Sequence, residues 1–215
     1  MFNQIKIIID GLLRRNKLAG RYTIEQLNEY AGLVQLKIMN RNIEVEGLQV
    51  TSFNADKIGP TMTTAPLTIS SGQFDKPEDF LYIVGMTHSY SDGDLTKFAD
   101  IDLVRDNEFY KKVNSRIVPA TLKKPFAKWT STGWKVKPDA IVASSLTYIK
   151  NPPSPEWGFT TTAGGRTAYD ESSTVDFTLP ETMKEEIVNE MLAMMGVSTR
   201  EGQPLNYALK EQADE

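Results

Sequence analysis

The chain has 215 residues, ordinary apolar and charged fractions, and a formal net charge of −4 at pH 7. That length buries a real core, in one large domain or two small ones, and the acidic balance argues against a generic nucleic-acid binder. The absence of cysteine excludes disulfides, thiolate catalysis and thiolate metal sites.

In chain order, Met1–Asp10 carries too short an apolar run for a signal segment, and Asp10 interrupts it. No apolar window approaches bilayer length, so no membrane is expected. The expected setting is the cytoplasm, or a particle assembled there. Ile5, Ile8, Ile9, Leu12 and Leu13 predict a first helix, with Arg14, Arg15 and Lys17 in its last turn and Gly20 as its stop. Thr23 and Gln26 form a capping box that opens a second helix. Its stripe Ile24, Leu27, Ala31, Val34 and Ile38 suits an internal helix contact or a seam between subunits. Asn40 and Asn42 are placed at its end.

Residues 44–79 lack periodicity and are punctuated by Gly47, Gly59, Pro60, Pro66, Gly72 and Pro77. They read as a long loop or arm, with short strands at most, that orders against a neighbouring subunit. Strand patterns follow at Phe80–Thr87, Asp100–Val104, Trp134–Lys137 and Ala143–Ile149, with a turn at Asp92-Gly93-Asp94 and a short helix at Asp106–Ser115. Regular short strands suggest a small antiparallel sheet or sandwich.

Pro152, Pro153 and Pro155 then remove three backbone donors, and the run ends on Trp157. It reads as a stiff extended connector of polyproline II character. Phe177 is placed in a last short strand. Pro180 suits the first turn of a final helix to about Met195, with an apolar face of Met183, Ile187, Met191, Leu192 and Met194 or Met195, and Gly196 as C′. Met191, Met194 and Met195 are candidate contact residues, because methionine adapts to irregular partners. Ser198–Glu215 reads as a polar tail.

Candidate chemistry is thin. His88 is the only histidine, so no His-based triad or His/Cys metal cluster can be built. Asp92 and Asp94 have a calcium-loop look without the EF-hand spacing, and a solvated turn is the plainer reading. Gly164-Gly165-Arg166 lacks the Lys-Ser/Thr of a phosphate loop. Lys111-Lys112 and Lys123-Lys124, with Arg116 and Lys128, are weak basic pairs, and Glu185-Glu186 lies on a helix rather than in a cleft. Trp129, Trp134 and Trp157 suit either a glycan face or buried packing. No enzyme activity, metal or cofactor is expected.

The order of elements carries more than any site. Tyr22–Asn28 opening a helix into Val34-Gln35-Leu36, then Leu146–Pro153 with Pro155 and Trp157, then Tyr169-Asp170, Ser172-Ser173, Val175–Phe177 and Leu179–Glu181 before a helix ending at Gly196-Val197, resembles head–tail connector proteins of Bacteroidetes-infecting tailed phages, of the crAss-like type. The match covers both ends of the chain; residues 44–145 match only in order and character.

The resemblance implies a virion structural protein assembled in the host cytoplasm. It would be a subunit of an adaptor ring, usually twelvefold, that contacts the portal and other neck or tail proteins. Genomic DNA would pass through without sequence-specific binding. The fold expected is α+β, with N- and C-terminal helices bundled around a central antiparallel β-rich domain with extended arms. The expected divisions are 1–43 (helices), 44–79 (arm), 80–179 (β-rich domain), 180–196 (helix) and 197–215 (tail). Pro152, Pro153, Pro155, Trp157, Phe177, Pro180, Met191, Met194 and Met195 are the structural or interface candidates. A β-sandwich glycan-binding or decoration module of a phage tail is the alternative.

Overall fold

The computed structural model describes residues 1–15, 22–46, 49–117 and 119–196. Lys17, Gly20 and the polar tail expected at 198–215 lie outside them. Helices α1 (Phe2–Arg15) and α2 (Ile24–Arg41) lead into β1 (Ile43–Glu46), β2 (Gln49–Phe53) and the single turn α3 (Ala55–Ile58). Strands β3 (Met62–Thr68), β4 (Gln73–Asp75), β5 (Phe80–Asp92), β6 (Leu95–Asp100) and β7 (Asp102–Leu103) precede α4 (Asp106–Val113). Then come β8 (Phe126–Trp129), β9 (Gly133–Lys137), β10 (Ala143–Lys150), β11 (Phe159–Thr161), β12 (Thr167–Tyr169) and α5 (Lys184–Met194). The fold is mixed α+β.

The chain divides into two compact units, with α1, α2, α3, α5 and the closing segment in one and most strands, with α4, in the other. The first unit comprises residues 1–44, 53–60 and the chain from Pro152 onward. Phe2, Ile5, Ile8, Ile9 and Leu13 bury one side of α1. In α2 the capping box forms as the sequence predicts, with the Gln26 N–H donating to Thr23 Oγ1 and the Thr23 N–H donating to Gln26 Oε1. Leu27, Ala31, Val34 and Ile38 are wholly buried, so the stripe is an internal contact. Asn42 is the C-cap, its Nδ2 donating to the Ile38 carbonyl. α5 packs on α2 and α1. Lys37 and Arg41 of α2 pair with Glu190, and Arg41 and Lys57 with Glu186.

The second unit holds residues 45–52 and 61–151. Its larger sheet runs β1-β2-β5-β10-β3, with β6 also paired to β5; the smaller runs β4-β9-β8-β7. One core joins them, with Ile83, Met86, Leu146 and Tyr148 from the first sheet and Phe74, Ala127, Trp134 and Val136 from the second. Along β10, Ser144, Leu146 and Tyr148 point inward as a two-residue repeat requires.

Five expectations change. Residues 44–79 are not an arm: all of β3 pairs with β10, from Thr68↔Ala143 to Met62↔Ile149. Its threonines favour a strand, and Pro66 is tolerated because β3 is an edge. The sheets are not purely antiparallel, since β2 runs parallel to β5 and β7 to β8. The β-rich unit ends at Asn151 rather than 179. Phe177 lies outside any strand: the segment makes a single bridge, Glu156 to Val175. Pro180 (φ −65°, ψ 154°) is an N-cap leading into the one-turn helix Glu181–Met183, and the α-helix proper starts at Lys184. Gly196 takes the left-handed φ of 75° expected of C′.

Candidate functional site

The proline connector begins where the chain passes from the second unit to the first, at Pro152. A polyproline II segment repeats every three residues. Pro152, Pro155 and Gly158 are buried accordingly, while Pro153, Ser154 and Glu156 are exposed. Prolines cannot donate, so the remaining backbone groups need partners from elsewhere.

α2 supplies them from Asn28 and Gln35, which with Gly32 between them are spaced i, i+4, i+7 along one helix face. Asn28 Oδ1 accepts the Trp157 N–H at 2.9 Å. Gly32 lies beneath Ser154: a Cβ there would reach ordinary contact distance, 3.4 Å, from Ser154 Oγ. Gln35, 1% exposed, uses both ends of its amide. Its Nε2 donates to the Pro153 carbonyl at 3.0 Å, and its Oε1 accepts the Thr178 N–H at 2.8 Å.

Trp157 anchors the end of the connector. Its indole Nε1 donates to Asn3 Oδ1 at 3.2 Å, and Lys6 Nζ sits 4.6 Å above the ring. Phe159 and Tyr169, paired across the β11–β12 hairpin, pack their rings on Trp157. Gly158 permits a close approach, since a Cβ would meet Ser173 Oγ at 2.2 Å and the Asp170 carbonyl at 2.7 Å. Glu156 and Val175 exchange backbone hydrogen bonds of 2.8 Å each. One residue on, Asp176 accepts the Phe2 N–H at 2.6 Å and so caps α1 from across the chain. Phe177 lays its ring against Phe2 at 5.0 Å, edge to face.

Among the candidates, then, Pro152, Pro153, Pro155, Trp157 and Phe177 belong to one assembly built on α1 and α2. Pro180 caps the turn before α5. Met191 is buried, whereas Met194 and Met195 are half-buried at the end of α5. Of the polar members, Asn28, Gln35 and Asp176 fall inside the segments that carry the resemblance but were given no role of their own from the sequence, and Asn3 was not singled out. Each is ordinary until its distant partner is known; the one local signal is an amide, Gln35, beside the apolar stripe of α2.

His88, Asp92 and Lys128 have structural partners. Both ring nitrogens of buried His88 face carbonyl oxygens, Nε2 at 2.7 Å from Leu122 O and Nδ1 at 3.2 Å from Ser89 O. Asp92 is held by Lys97 (2.5 Å) and Lys123 (3.2 Å), whose hydrogen bonds keep its carboxyl below the usual range. Lys128 lies against Asp106 and Tyr110, and its hydrogen bond to Asp106 raises its pKa.

A cleft of about 250 Å³ is lined by Lys6, Asp10, Leu13, Arg14, Tyr22, Ile24 and Thr167. There Asp10 accepts from Lys6 (2.6 Å) and from the Tyr22 hydroxyl. Burial first, and then that bond, push the Tyr22 hydroxyl upward. Among the described residues no group of three His, Asp or Glu is placed to hold a metal, and no helix is long and apolar enough to cross a membrane. Compared with known proteins, the chain matches no family model and no curated protein.

Proposed function

We propose that this chain is a virion structural protein, a head-to-tail connector subunit whose copies form an adaptor ring between portal and tail. The observation that carries the reading is the convergence of the segments that give the resemblance. The helix opened by Thr23, the Pro152–Trp157 run and the Val175–Phe177 segment are far apart in sequence. They are held together by Asn28, Gln35 and Asp176.

On this reading the terminal helices act as a bundle, and the proline connector sets the path from the sheet into it. The ring contacts the portal and neighbouring neck proteins, and DNA passes along walls that do not grip phosphates. The net charge of −4 suits such walls. The chain works by holding shape, and no catalytic step is assigned to it.

The glycan-binding alternative draws less support. Trp134 and Trp157 are 1% and 6% exposed, which leaves Trp129, at 37%, as the accessible member of the three. Electron microscopy of the chain co-expressed with a portal protein of a phage that carries this gene tests the proposal. Rings stacked on the portal are the expected result; a portal that remains bare would overturn it.

A further inference from the structure

The β5–β6 hairpin turns through Gly93 and Asp94, with Asp92 facing Leu95 and Gly93 at φ 68°. β6 pairs with β5 on one side, and among the described residues no strand pairs with its other side. Leu95 and Phe98 on it are 65% and 76% exposed. The phase of the ladder follows from the Ile101 N–H, which donates to Met86 O at 2.8 Å. Antiparallel ladders alternate, and this one has no register shift. Leu95, Lys97 and Ala99 therefore bond inward to β5, while the backbone groups of Thr96, Phe98 and Asp100 turn outward.

The opposite edge of the same sheet is built differently. The Ile69 N–H donates to Val142 O at 2.8 Å, which turns Thr64, Pro66 and Thr68 of β3 outward. Pro66 thus removes the middle donor of that edge, a recognised block to strand addition. In the smaller sheet the edge strands β4 and β7 have three and two residues. The six residues of β6 carry no proline, and the lysine on it, Lys97, is tied back to Asp92.

We propose that the outer edge of β6 pairs with β6 of a second copy of this chain, antiparallel about a two-fold axis at Phe98. That register is self-complementary. Phe98 faces Phe98 and exchanges both backbone hydrogen bonds, with the aromatic rings side by side. Thr96 faces Asp100 on either side, so a hydroxyl donor meets a carboxylate acceptor. Lys97 faces Ala99 and keeps its 2.5 Å bond to Asp92. Centring the pair on Lys97 would instead set two ammonium groups against each other. The pairing belongs to the free chain and stands apart from the connector reading, because a head-to-tail ring contains no two-fold contact.

Sedimentation equilibrium of the purified full chain tests this, with Phe98→Pro as the edge-blocking variant and Phe98→Cys as the register probe. The native chain has no cysteine, so any crosslink is specific. A wild-type dimer is expected, weakened at least about tenfold by Phe98→Pro. Phe98→Cys is expected to form a disulfide dimer under mild oxidation, while Lys97→Cys stays uncrosslinked. The Cys pair decides the matter should Phe98→Pro fail to fold. A wild-type chain that stays monomeric at concentrations of order 100 μM, or an assembly of any size that Phe98→Pro leaves intact and Phe98→Cys does not crosslink, would overturn the proposal.

Discussion

Gln35 shows how one side chain can set the course of a segment. Its amide bonds chain positions 118 and 143 residues away, and few other side chains offer a donor and an acceptor at that reach. Gln35→Ala leaves the Pro153 carbonyl and the Thr178 N–H without these bonds. It is expected to cost about 1–3 kcal/mol in urea denaturation, against a near-neutral change at exposed Gln4 of α1. Gly158→Ala puts a methyl group into the space of Ser173 and Asp170. A loss of about 1–3 kcal/mol is expected from the forced repacking, measured the same way.

Tyr148 gives a residue-scale prediction in pH. Burial, and then the hydrogen bond to Asp79, push its hydroxyl from 10.0 up to about 12. The neutral form is favoured on folding, so this stabilisation is complete below pH 10 and is lost as pH rises through about 12. Tyr22 is shifted in the same direction and adds to the decline. The urea midpoint followed across this range should fall, and fall less steeply in Tyr148→Phe.

At the scale of elements, α2 was legible in the sequence because its signals are local. The capping box lies within four residues, and the apolar stripe fixes the buried face. β3 was not legible, because its partner β10 lies 83 residues away at Thr64–Thr147 and Pro66 looked like a breaker until its outward position was known. The connector was read as extended from its prolines alone. Its seat on Asn28, Gly32 and Gln35 was not, since nothing local marks a polar residue as the partner of a distant carbonyl. The same non-locality hid Asp176 as the cap of α1, and placed Phe177 in a strand where the chain makes only one bridge.

The α2–α5 contact carries its own test. Lys37 first, then Arg41, hold the Glu190 carboxyl below its ordinary 4.5. A depressed carboxyl stabilises the fold above its unfolded pKa and loses that contribution as pH falls through the folded value. Acid unfolding followed by circular dichroism below pH 4.5 should therefore be shallower in Glu190→Gln, which is expected to be the less stable of the two at neutral pH.

For the whole molecule, the two units divide the work differently from the order of the sequence. The β-rich unit is built from the middle of the chain, while the helical unit draws on both flanks and takes back the chain at Pro152. Most pieces that carry the resemblance gather in the helical unit, whose internal bonds fix their arrangement, while Leu146–Asn151 stay in the β-rich unit. Polar side chains such as Asn28, Gln35 and Asp176 are committed there to holding backbone. The most direct measurement is quantitative mass spectrometry of purified tailed particles from cells that carry this gene. The connector reading predicts the chain in the particles at a fixed copy number matched to a portal-bound ring. Particles that contain the portal but lack this chain would contradict it.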